Sequence, residues 1–204
     1  ILISEKLGAL PEEVKKRLEK INIHSNELTQ MVNDLLDNAR IESGKTEMHF
    51  EPIDIQLTAE SVCDMLGALL KEKNINLQIN LPKGMSSVIA DKTQLSRVFI
   101  NILGNAIKFV PLDKGGIKIS GFESNEFVQI NISDNGMGMP ETDCAHIFEE
   151  FYRADNAINQ KVKGTGLGLT LVKNIILSHK GNIWVESQIN QGTTFSFTLP
   201  KARA

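Results

Sequence analysis

The sequence predicts an α+β fold: a mixed sheet with helices on one face, preceded by one long bundle helix. Three observations carry that expectation. Residues 12–43 contain no proline or glycine, and their apolar residues recur at alternating spacings of four and three. Beyond Gly44 short runs of strand character are interspersed with helical periodicity, which suggests strands and helices in one mixed layer structure. The chain has 204 residues and is 41% apolar, enough for one domain with its own core plus an extra element.

The long helix is expected from Pro11 to Ser43, with Pro11 at a first-turn position and Gly44 as the stop signal. At 1.5 Å per residue it would be about 50 Å long. Its seam runs through Val14, Leu18, Ile21, Leu28, Val32, Leu35 and Ala39, with Ser25 in the gap. Glu12 with Lys16 and Glu13 with Arg17 are favourable pairs four apart on the opposite face. Such a helix cannot bury its seam alone, so a partner helix or second subunit is expected. Residues 1–7 read as the stub of that partner, turning back through Gly8 to Leu10. A strand is then expected near Glu47 to Phe50, followed by a helix that Asp54 caps and that runs to about Lys73. Next come a strand at Ile75 to Leu81, a helix from about Asp91 to Phe109, and strands at Ile117 to Phe122 and Phe127 to Ser133. A glycine-rich stretch, Asp134 to Lys163, leads to a helix from about Leu167 to His179, and strands at Ile183 to Ser187 and Thr194 to Leu199 close the chain.

Composition narrows the function. With 22 basic and 25 acidic residues the net charge is -3, which leaves no overall footprint for nucleic acid. Cys63 and Cys144 form no disulfide framework and have no metal-ligand spacing around them, so a reducing compartment is expected. No apolar run approaches the length of a membrane helix, and no signal-peptide pattern opens the chain.

Three constellations carry chemistry. On the helix after Asp91, the residues Asn101, Asn105 and Lys108 stand at offsets of four and three, hence on one face of an otherwise apolar helix. Amide oxygens suit magnesium, and a lysine beside them suits phosphate. Asp134-Asn135-Gly136-Met137-Gly138 follows a strand; Asp134 can accept a hydrogen bond from an exocyclic amino group, and Gly136 and Gly138 let backbone approach a planar ring. Gly164-Thr165-Gly166-Leu167-Gly168-Leu169 opens a helix, exposing N–H groups and the positive end of the helix dipole to a phosphate. It is neither a P-loop nor a dinucleotide fingerprint, since it lacks the Gly-Lys end of the one and the early βαβ position of the other.

Taken in order, the asparagine-bearing helix from Asp91 to Phe109, DNGMG at 134–138, IFEEFYR at 147–153, GTGLGL at 164–169 and GTTF at 192–195 resemble the N, G1, F, G2 and final glycine boxes of sensor histidine kinases. That resemblance implies a two-layer α/β sandwich of the Bergerat ATP-binding type. It implies domains at 1–45, a partial dimerisation and histidine-phosphotransfer hairpin with a full second helix, and at 46–204, the catalytic ATP-binding domain. By the same resemblance Asn105 holds magnesium, with Asn101 near metal-bound water or phosphate. Lys108 reaches the phosphates, and Phe109 packs beside the adenine. Asp134 binds the adenine amino group with Gly138 close to the ring, the backbone from Gly166 to Leu169 cradles the phosphates, and Thr193 orders the adenine contact. Arg153 approaches the γ-phosphate, where its fork of donors stabilises developing charge. The segment from about Pro140 to Gly164 becomes a lid.

The family transfers the ATP γ-phosphoryl to a histidine on the first bundle helix for relay to a response-regulator receiver domain. None of the four histidines here, His24, His49, His146 and His179, has the acceptor context of a following acid and a Thr-Pro or Asn-Pro step. They read as solvated or packed histidines. Because the chain opens at Ile1 in mid-pattern, it is expected to lack an upstream part, to bind magnesium ATP, and not to phosphorylate itself. The parent is expected to dimerise through the bundle, to lie in the cytoplasm, and to meet a membrane only through upstream segments. A nucleotide-holding module of the same fold without transfer is the alternative. Gyrase-type, mismatch-repair and chaperone ATPases fit less well, because they use an acidic residue where Asn101 stands.

Overall fold

The computed structural model describes residues 10–43, 46–154 and 164–202. Helix α1, Glu12–Glu42, is one unbroken rod of 31 residues, about 47 Å at the usual rise. Ser43 caps it by donating its N–H to the carbonyls of Ala39 and Ile41. The stop at Gly44 and the helical stub at residues 1–7 with its turn lie outside the described residues. Much of the expected seam is exposed: Val14, Ile21, Leu28, Val32 and Leu35 all face solvent, and among the described residues no helix covers them. The last turns behave differently. There α1 packs on a later helix, burying Ile41 and Asn38, and Asp37 pairs with Arg97. Asn38 is 1% exposed, and among the described residues neither its amide oxygen nor its nitrogen has a hydrogen-bond partner.

The strand expected near Glu47 is displaced: β1 is Glu51–Ile53, paired antiparallel with β3, Val88–Ala90. Pro52 sits on this two-stranded ribbon, where a missing N–H is tolerated. Asp54 caps the following helix as expected, accepting the Leu57 N–H at 3.1 Å. That helix is split at Leu66 into α2, Ile55–Met65, and α3, Gly67–Glu72. Strand β2, Asn76–Asn80, precedes β3, and α4 spans Lys92–Phe109.

Asp91 caps α4 by accepting the Gln94 N–H at 3.0 Å, and its second oxygen accepts the His49 N–H at 3.0 Å. Its own N–H donates to His179 Nε2 at 2.9 Å, while His179 Nδ1 lies 2.7 Å from the Ile175 carbonyl. Those partners fix the tautomer with the proton on Nδ1. His179 is buried, and burial lowers its pKa.

Strands β4, Gly116–Glu123, and β5, Phe127–Asp134, form a hairpin; α5, Glu141–Cys144, is a single turn; α6, Gly168–Ser178, and β6, Ile183–Gln188, lead to β7, Gly192–Pro200. The large sheet has the order β2-β4-β5-β7-β6, with only the β2–β4 pair parallel. It is a mixed five-stranded sheet with α2, α4 and α6 on one face. Period-two alternation sorts its residues. Ile117, Ile119, Val128, Ile130, Ile132, Phe195, Phe197 and Leu199 point inward and are buried, whereas Lys118, Ser120, Gln129, Asn131 and Thr198 point outward. The inner residues meet Leu95, Val98, Phe99, Ile102 and Leu103 of α4 and Leu171, Val172, Ile175 and Ile176 of α6. Phe99 and Phe197 cross edge to face at 5.8 Å.

Candidate functional site

The same alternation positions the site. Following Val128, Ile130 and Ile132, the next inward position of β5 is Asp134, in register with Ile117 of β4 and Thr193 of β7. A carboxylate therefore stands on the core face where the sheet runs out, opposite the end of α4. Burial raises its pKa, against the lowering effect of the Gly136 and Thr193 N–H groups. The Gly136 N–H donates to Asp134 Oδ1 at 2.8 Å, closing a tight turn.

A cleft of about 760 Å³ opens there, within the range of small-molecule sites. Asn101, Asn105, Lys108 and Phe109 line it from α4, Asp134, Gly138 and Thr193 from the sheet end, Arg153 from the segment after α5, and Gly164, Thr165, Gly166, Gly168 and Leu169 from the glycine loop. Two predicted site residues stand behind the wall. Leu167 is fully buried, and Gly136 is packed where a Cβ would lie 2.6 Å from Asp134 Oδ1 and 2.8 Å from the Phe109 carbonyl.

The glycines are demanded by protein neighbours. A Cβ on Gly138, at φ +64°, would lie 1.9 Å from the Gln188 carbonyl oxygen. On Gly166, at φ +76°, it would meet the Phe151 backbone at 2.7 Å, and on Gly168 it would meet Asn101 Oδ1 at 2.6 Å. Among the described residues, nothing lies within 4 Å of a Cβ on Gly164. The loop is thus pressed between the F-box backbone and α4, with the Phe151 N–H donating to the Gly166 carbonyl at 3.1 Å. Asn101 spends its amide nitrogen on the Arg97 carbonyl at 2.9 Å and turns its oxygen toward Gly168.

Lys108 opens onto the cleft, and its pKa is lowered first by desolvation, then by the neighbouring charges of Arg153 and Lys73. Two cations lining one cleft, Lys108 and Arg153, favour an anionic ligand. Among the described residues no group of three or more His, Cys, Asp or Glu side chains forms a metal cage. Magnesium fits this donor set in a different way: it takes few protein ligands and keeps water and phosphate oxygens, so the Asn105 amide oxygen suits it.

Sequence reasoning missed several walls. His24, Met31 and Asp34 of α1 line the cleft, as do Met137, Met139, Ile147 and Tyr152. Ser187 was also missed; its hydroxyl accepts the Met139 N–H at 2.9 Å and lies 2.9 Å from Thr193 Oγ1, tying the first glycine turn to the β6–β7 hairpin. Met139 and Tyr152 follow motif glycines and aromatics and were legible as neighbours, but nothing local marks the α1 residues. Phe148 packs on Phe195 at 6.3 Å, and Phe151 is exposed. Residues 155–163 of the expected lid lie outside the described residues.

Among known proteins, the chain is 31% identical to the circadian input-output histidine kinase CikA of Synechococcus elongatus over 196 residues, which is 95% of this chain and 26% of that one. It therefore spans about a quarter of that relative's length. The full-length structure of ShkA in complex with AMPPNP superposes with a TM-score of 0.83 at 26% identity, covering 98% of this chain and 41% of that one. The histidine kinase ThkA in complex with the response regulator TrrA superposes with a TM-score of 0.75 at 25% identity, covering 97% and 54%. No helix among the described residues is long and apolar enough to cross a membrane. Residues 90–203, the ribbon end, both long core helices and most of the sheet, match the model of the histidine kinase-, DNA gyrase B- and HSP90-like ATPases, and the chain belongs to that family.

Proposed function

We propose that this chain is the phosphoryl-donor portion of a sensor histidine kinase, binding magnesium ATP and passing its γ-phosphoryl to a histidine on a bundle helix. The observation that carries it is the convergence in one cleft of Asp134 and Thr193 with Asn105, Lys108, Arg153 and the N-terminus of α6. Asp134 accepts the adenine amino group, with Phe109 and Gly138 beside the ring. Backbone N–H groups from Gly166 to Leu169 and the dipole of α6 hold the phosphates. Asn105 holds magnesium, which when bound neutralises phosphate charge. Lys108 and Arg153 stabilise negative charge at the transferring end, the term that dominates phosphoryl transfer. Asn101 orients the glycine loop against α4.

The domain division follows the change of character near residue 45, with residues 1–45 belonging to a dimerising, phosphotransfer hairpin and 46–204 to the catalytic domain. The exposed seam of α1 supports homodimerisation of the parent. A response-regulator receiver is the partner class, as in the ThkA–TrrA complex. The parent's catalytic portion works in the cytoplasm.

Titration calorimetry with magnesium ATP, followed by mixing with a supplied acceptor bundle and labelled ATP, tests the reading. Saturable binding and label on the acceptor histidine are expected. Absence of binding would overturn it, and binding without transfer would favour a nucleotide-holding module instead.

A further inference from the structure

We propose that Lys73 is a positioning residue of the phosphate site, acting through the last turn of α4. The inference rests on the nucleotide reading given above. The carbonyls ending a helix lack intrahelical donors and must be satisfied elsewhere. At the end of α4 the Ala106 carbonyl takes the Val110 N–H at 3.0 Å and the Phe109 carbonyl takes the Met137 N–H at 3.3 Å. The Ile107 carbonyl takes the ammonium of Lys73 at 2.9 Å, across 34 residues of chain. Lys73 thus clamps the peptide immediately before Lys108, two residues after Asn105 and two before Phe109. It adds a charge to the capping of the turn that carries three predicted nucleotide contacts.

Lys73 is itself held at a fixed point. It caps α3, whose end is a Schellman-type stop: the Ile75 N–H donates to the Leu70 carbonyl at 2.9 Å and the Asn74 N–H to the Lys71 carbonyl at 3.1 Å, with Asn74 at φ +51°. The next residue, Asn76, donates to Gly115 at 2.8 Å and enters β2. Among the described residues no carboxylate pairs with the Lys73 ammonium, so its charge is not cancelled locally. That charge is felt at Lys108, alongside that of Arg153. A cation on a helix C-terminus favours the helix end, and here it also adds to the positive field facing an incoming triphosphate. Lys73 touches neither reacting atoms nor the cleft wall; it sets the direction and surroundings of Lys108, which does.

Two consequences separate this from a plain structural contact. The effect of losing Lys73 should grow with ligand phosphate, and the alkaline limb of ATP affinity should move to higher pH, because Lys108 loses a repelling neighbour. Displacement of a fluorescent ATP analogue by ATP and by adenosine, across pH, in wild type, Lys73→Met and Lys73→Arg, reads both. Lys73→Met should weaken ATP about fivefold, leave adenosine within about twofold, and shift the alkaline limb upward; Lys73→Arg should restore wild-type behaviour. Equal loss for ATP and adenosine, or no loss for either, overturns the proposal. Should Lys73→Met not fold, Lys73→Gln keeps a donor for the Ile107 carbonyl without the charge and is judged by the same comparison. Failure of the wild type to bind either ligand would instead overturn the nucleotide reading.

Discussion

Replacing Gly138 with alanine is the most direct test of how the cleft is built. Its backbone lies at φ +64°, where an alanine costs about 1–2 kcal/mol. The new Cβ would sit 1.9 Å from the Gln188 carbonyl oxygen, against the 3.4 Å at which ordinary contact begins, so that oxygen must retreat by about 1.5 Å. The same oxygen accepts the Gln191 N–H at 3.0 Å in the β6–β7 turn, a bond worth about 1 kcal/mol. Together these give about 3 kcal/mol of lost stability, with the turn pushed away from Thr193. Gly104→Ala is the matched control: it lies inside α4 beside Asn105 with nothing within 4 Å of its Cβ, and should gain about 1 kcal/mol. Urea unfolding of both variants with ATP titration of the folded protein measures the contrast. A Gly138→Ala protein within about 0.5 kcal/mol of wild type, or a Gly104→Ala protein destabilised as much as it, would refute the packing argument.

Other outcomes test the chemistry. Asp134→Asn keeps an acceptor for the Gly136 N–H but changes the group offered to the base, so adenine nucleotides should weaken about tenfold or more while a pyrimidine triphosphate changes little; equal losses would deny base recognition. Asn105→Ala should abolish the magnesium dependence of ATP binding, read by titration with and without EDTA, and unchanged transfer to an added acceptor would remove its assigned role. His179 is held neutral, its pKa depressed from 6.5, so the unfolded chain takes up the proton first as pH falls. Its contribution to stability is complete above that pH and is lost as pH drops through the folded value. Urea midpoints from pH 7.5 down to 5 should fall more steeply in wild type than in His179→Gln, and parallel slopes would refute the depressed pKa of the buried imidazole. Asp91, lowered from 3.8, titrates in a separate and more acid window.

The elements that were legible in the sequence were those with a repeating internal signal. Helix α4 carries its own cap and an apolar stripe and β5 alternates strictly, so the core face followed from spacing, whereas Asp134 was singled out by the DNGMG string and the family resemblance, and the structure adds it to the end of β5. Strand β3 was missed because three residues, Val88–Ala90, carry no period, and β1 was misplaced because its position is set by that unseen partner. The break at Leu66 left helical hydrogen bonds largely intact and so left little mark. The glycine boxes were found for one reason and are required for another: sequence suggested room for a ligand, whereas Gly138, Gly166 and Gly168 make room first for Gln188, Phe151 and Asn101. Contacts such as Asp37 with Arg97 or His179 with Asp91 join distant segments and have no local signature. For the same reason the helix α1 that walls the cleft with His24, Met31 and Asp34 could not be anticipated.

Where α1 meets the catalytic core, Asn38 is buried with, among the described residues, no partner for either end of its amide. Such a group costs about 1–3 kcal/mol for as long as it stays dry. Lifting the rod by the width of a water molecule would hydrate both atoms at once, while Ile41 would resist the same movement. The joint between rod and core therefore sets opposing contributions side by side: burial of Ile41 and the Asp37–Arg97 ion pair favour contact, and the dry amide weighs against it.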